Sequence, residues 1–169
     1  MGYLRGMASS TLTKYLNDHL AGSAAALDLL DSLRGHANTD ELAATLQSVT
    51  AEIESDRETL LGVMERLGVG TSTVKQVAAR VGEKALRVKT SNVVTGDDDL
   101  SRLLELEALH LGIAGKEAGW TALRAGAHEA LADVDFDALI ARAQEQRMQI
   151  KPFRLMAAAA AFREPQRAS

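Results

Sequence analysis

The chain has 169 residues, no cysteine and a formal net charge of −4, which suits one domain and excludes disulfides, thiolate metal sites and cysteine nucleophiles. The modest acidity argues against a nucleic-acid partner, and no run approaches the roughly 20 apolar residues that a membrane span needs. Residues 1–10 hold one arginine and no apolar run, so no secretory signal is expected and the cytoplasm is the expected location. Met7 is an alternative start, which leaves open whether residues 1–6 are native.

The first predicted helix runs from about Ser10 to Arg34. Leu12, Leu16, His19, Ser23, Leu27 and Leu30 recur at spacings of three and four, the mark of one helical face. Gly35 is expected to end it in a left-handed conformation. Asn38 and Glu41 form a capping pair for the second helix. Its stripe is Leu46, Val49, Ile53, Asp56, Leu60, Val63 and Leu67, unbroken except that one member is an aspartate. The short turn between the two predicts an antiparallel hairpin.

Residues 69–96 differ in character. Ser72 can cap a shorter helix with an apolar face and a basic face of Lys75, Arg80, Lys84, Arg87 and Lys89 against a single Glu83. That face is expected to be solvated, or to present positive charge to an acidic protein partner.

A third helix begins at Asp97, Asp98 and Asp99, where negative charge meets the helix dipole, and runs to about Ala125. Apolar on most sides, it is expected to be central and heavily buried. The fourth starts at Asp135 as N-cap, with Val134 packing on Leu139 as a hydrophobic staple, and continues to about Phe162. Pro152 should kink or end it. The pattern predicts one all-α domain over residues 10–162, with flexible termini at 1–9 and 163–169. Two short hairpins joined by a long helical crossover between helices 2 and 3 predict a ferritin-like four-helix bundle, with a five-helix up-and-down arrangement as the alternative if the basic helix packs as a full member.

Polar residues on inward stripes are the candidate site, because burying unpaired polar groups is costly. They are His19, then Glu52 and Asp56 one turn apart, then the Glu-x-x-His pair of Glu107 and His110. Carboxylate and imidazole together suit iron, manganese or zinc, with iron or manganese the expected metal. A standard di-iron bundle needs a second Glu-x-x-His, and helix four offers Arg142, Gln146 and Arg147 instead. The competing reading is a buried polar network, with Arg57 and Arg142 as partners, that fixes helix register.

Residues 15–22 (YLNDHLAG), Asp56-Arg57, residues 105–109 (ELEAL) and residues 112–116 (GIAGK) resemble ferritin-like four-helix-bundle proteins of bacteria with no assigned activity. The resemblance implies the fold and a metal-carboxylate ancestry; it carries no activity. The leading expectation is a non-catalytic bundle that self-associates as a homo-oligomer through its apolar third helix and the alanine-rich end of the fourth. The alternatives are a metal-binding bundle and an adaptor that presents the basic helix.

Overall fold

A computed structural model describes residues 9–70 and 98–163. These hold four long helices, α1 (Ser10–Gly35), α2 (Asp40–Arg66), α3 (Asp98–Ala125) and α4 (Phe136–Ala161), with a short 3-10 turn at Glu129–Leu131 before α4. No strand occurs among the described residues, and no described helix is long and apolar enough to cross a membrane. The basic segment predicted at 72–89 lies outside them.

The helix ends follow some of the local signals and depart from others. Asp135 caps α4 as expected, its side chain accepting from the Ala138 amide at 2.9 Å, while Val134 and Leu139 share a core cluster. Ser9 caps α1 by accepting from Leu12. The second helix is capped by Thr39, one residue after the predicted Asn38, with its hydroxyl accepting from Leu42 at 3.1 Å. Gly35 does not turn left-handed. The last turn of α1 tightens instead, with the His36 amide donating to the Leu33 carbonyl. Among the described glycines the left-handed one is Gly68, at φ 68°. There Val69 donates to Met64 and Gly68 to Glu65, the paired bonds that close a helix end. Pro152 does not end α4. It lies on an exposed face, and so does Met148, whose carbonyl loses its donor, so water can take the missing bond.

Two core clusters, one toward each end, fix the helix directions. One joins Leu30 and Leu33 of α1, Leu42 and Leu46 of α2, Leu103 and Leu106 of α3, and Ile150 and Ala157 of α4. The other joins Leu16 and Leu20, Leu60 and Met64, Trp120 and Leu123, and Phe136 and Leu139. Hence α1 is antiparallel to α2, α3 is antiparallel to α4, and α2 runs parallel to α3. Each helix of about 26 residues is roughly 40 Å long, so the clusters occupy opposite halves of the bundle.

The third helix departs from its expected burial. Leu103, Leu106, Leu109, Ile113, Trp120 and Leu123 face the core, yet Leu111 on the opposite side is 69% exposed. Apolar composition on all sides of a helix therefore does not mean that all its sides are covered.

Candidate functional site

Midway between the core clusters, polar side chains from three helices meet. Asp56 of α2 is 2% exposed. Its Oδ2 accepts from Lys116 Nζ of α3, and its Oδ1 accepts from the Arg142 guanidinium of α4. Lys116 Nζ also donates to Gln146 Oε1 at 2.5 Å, and Gln146 Nε2 donates to Glu52 Oε2 at 2.8 Å. Gln146 is fully buried and is satisfied at both ends of its amide. The chain Glu52–Gln146–Lys116–Asp56–Arg142 carries two positive and two negative formal charges, so it closes on itself electrically.

Burial pushes the Lys116 ammonium below its ordinary pKa, with the Asp56 carboxylate acting in the opposite direction. An aliphatic stem in apolar surroundings, tipped by a charge that needs an anion, pins α3 to α2 and α4 at one height.

The expected site residues do not all gather here. Glu52 and Asp56 are joined through Gln146 and Lys116. Glu107 lies on the α3–α4 side, half-exposed, with Arg154 at 3.8 Å. His110 is on that side too; burial lowers its pKa first, then the charges of Arg147 and Arg154, against Glu107. His19 sits apart on α1, edge-on to Tyr15 at 4.5 Å between ring centroids. Among the described residues, no three His, Asp or Glu side chains converge as a metal would require. Arg142 pairs with Asp56 as the network reading expects, whereas Arg57 turns to α1 and donates to Ser23 Oγ at 3.1 Å.

Lys116 is the central residue that a search confined to carboxylates and histidines passes over. Its signal is present in the spacing: Leu109, Ile113, Lys116, Trp120 and Leu123 step by three and four, so the lysine is an inward position.

Beside the network, a cavity of about 420 Å³ lies between α1 and α3, with α2 as its floor. Gly22 of α1 and Gly112 and Gly115 of α3 line it, and a Cβ added at any of them would meet nothing within 4 Å. The helices close on both sides of it, at one end through Ser32 and Glu105 and at the other where His19 rests on Gly119; a Cβ there would lie 2.7 Å from His19 Cε1. Burial lowers the His19 pKa against the pull of Asp18, so the ring is neutral near pH 7. Trp120, almost fully buried at the cavity wall, has an indole N–H with no hydrogen-bond partner among the described residues.

No family model, curated protein or solved structure matches the chain.

Proposed function

We propose that this chain is a ferritin-like bundle whose centre is held by side-chain ions, and that it acts as a non-catalytic scaffold, self-associating through the outer face of α3. Support for the topology comes from the parallel run of α2 and α3. The chain leaves α2 at one end of the bundle and enters α3 at the other, which calls for a connection returning along its length. Support for the ion-held centre comes from Asp56, both of whose oxygens accept from protein cations, so the ammonium of Lys116 takes the role of a metal.

The observation that carries self-association is a seam on α3. Leu104, Ala108, Leu111, Gly115, Ala118 and Ala122 are all exposed, all uncharged, and spaced four, three, four, three, four. That is the spacing of a coiled-coil contact line, on the side of α3 opposite the core stripe and bordering the cavity at Gly115. Exposed Met148 and Leu155 of α4 extend it, each one residue beyond an arginine that pairs with α3. A second copy laid antiparallel on this face would match small residues with large ones along a two-fold axis. The seam is about 27 Å long by helix rise, and two helices wide it buries an area near the low end of stable interfaces, consistent with a micromolar dimer.

Size-exclusion chromatography with light scattering should show a dimer at about 100 µM that Leu111→Glu converts to a monomer. A wild-type monomer at that concentration would remove the self-association. Near-stoichiometric iron or manganese in the purified protein would overturn the ion-held centre.

A further inference from the structure

The cavity between α1 and α3 has the size of a small-molecule site, since such pockets run from about 300 to 1,000 Å³ with mostly apolar walls and a few placed polar groups. Its apolar walls include Leu16, Ala26, Ile53, Leu60 and Ile113. The polar groups differ in how far they are satisfied. Asp56 is saturated by Lys116 and Arg142, and Asp18 stands exposed at the rim. Arg57 is the exception. It holds Ser23 Oγ and, at 3.5 Å, the Leu20 carbonyl, but among the described residues no carboxylate lies within ion-pair distance of it. A half-buried guanidinium facing a largely apolar cavity without an anion, with a partnerless indole N–H in the same wall, is an incomplete arrangement.

We infer that this cleft binds a monocarboxylate with an apolar body, the carboxylate pairing with Arg57 and the hydrocarbon lying along the glycine-lined gap between α1 and α3. A guanidinium presents parallel N–H donors that match a carboxylate in a bidentate pair, and a partly desolvated site strengthens that bond. The glycines leave the space that the hydrocarbon fills. With Lys116 neutralised by Asp56, a cationic ligand would meet Arg57 as a like charge and would find an anion unpaired among the described residues at the exposed rim, Asp18. A dicarboxylate would bury a second anion against apolar walls.

Trp120 is the sole tryptophan, so its emission reports on the cleft directly. Decanoate below its micellar range should shift that emission saturably, with decanol and decylamine at least tenfold weaker. Arg57→Met should weaken decanoate binding at least tenfold while leaving decanol unchanged. Gly22→Leu, which places a side chain in open space within the gap, should weaken both, and circular dichroism establishes that each variant is folded. The chain-matched ligands test the charge requirement on wild-type protein alone, so the inference stands or falls even if Arg57→Met does not fold. No saturable shift, decanol binding as well as decanoate, or undiminished decanoate binding by folded Arg57→Met would each overturn it.

Discussion

The two flanks of α3 are built in opposite ways. Toward α4 it is charged, with Glu117 accepting from Gln144 and from Arg147 at 2.8 Å each, Glu107 facing Arg154, and Arg124 paired with Asp137. Toward α1 it is glycine-rich, with Gly112, Gly115 and Gly119, and a single side-chain hydrogen bond, from Ser32 to Glu105 at 3.0 Å, crosses to it among the described residues. The charged flank has long side chains that bridge and fill the space between helices. The glycine flank has no side chains to fill the space at Gly22, Gly112 and Gly115, while at Gly119 the His19 ring takes it. The ion network thus joins α2, α3 and α4 and leaves α1 outside it, and the gap lies on the α1 side.

The comparison breaks most severely at the network. Asp56→Leu should destabilise the fold by about 3 kcal/mol, since it leaves a buried ammonium and a guanidinium without their anion. Chemical denaturation measures this, and adding Lys116→Met should recover much of the loss, because an apolar pair of similar size can replace buried ions. A loss unchanged in the double variant would mean that packing, not charge, sets the cost.

Glycine substitutions on the open flank should differ in sign. Gly119→Ala forces the His19 ring to move and should cost about 1–2 kcal/mol by overpacking, even after the helix-propensity gain. Gly22→Ala meets open space and should stabilise by up to about 1 kcal/mol. Equal effects from the two would show that the flank is closed in solution.

The mildest effect is that of acid, and it sharpens the contrast by residue. His19 and His110 lie on opposite flanks, and burial lowers both pKa values from 6.5. Below that value the unfolded chain takes up protons that the folded chain resists, so stability should fall as pH drops through the mid-6 range and below. Glu117 has its pKa lowered from 4.5 by hydrogen bonds from Gln144 and Arg147, so its contribution is kept above that value and lost in more acid solution. Melting temperatures across this range should decline in two stages. Substituting either histidine with glutamine should flatten the first stage, and Glu117→Gln the second.

How much was legible in advance depended on the range of the interaction. Asp135 and Val134 act within one helical turn, so their cap and staple could be read from neighbours in the chain. The same local reading misjudged Gly35 and Asn38, because a helix end has several ways to satisfy its last groups and the sequence permits more than one. Asp56 could be recognised as an intruder on an apolar stripe, and Arg142 as one of two arginines able to pair with it, but Lys116 could not. Lys116 is 60 residues away and Arg142 86 residues away, and only the packed bundle selects them from the other cations. Glu107 and His110 share one helix face, as their spacing requires, yet that face meets the arginines of α4 rather than the bundle centre.

By itself the sequence determined four amphipathic helices, their hairpin pairing, and the inward positions of Asp56 and Gln146, since these follow from the period of 3.6 and the shortness of the turns. Only tertiary structure decided that Lys116 neutralises the central carboxylate, that α3 leaves a line of uncharged residues exposed, and that a gap opens between α1 and α3 at Gly22, Gly112 and Gly115. Each of these depends on the distance and rotation between helices, which are set by the summed fit of many side chains and by no local pattern.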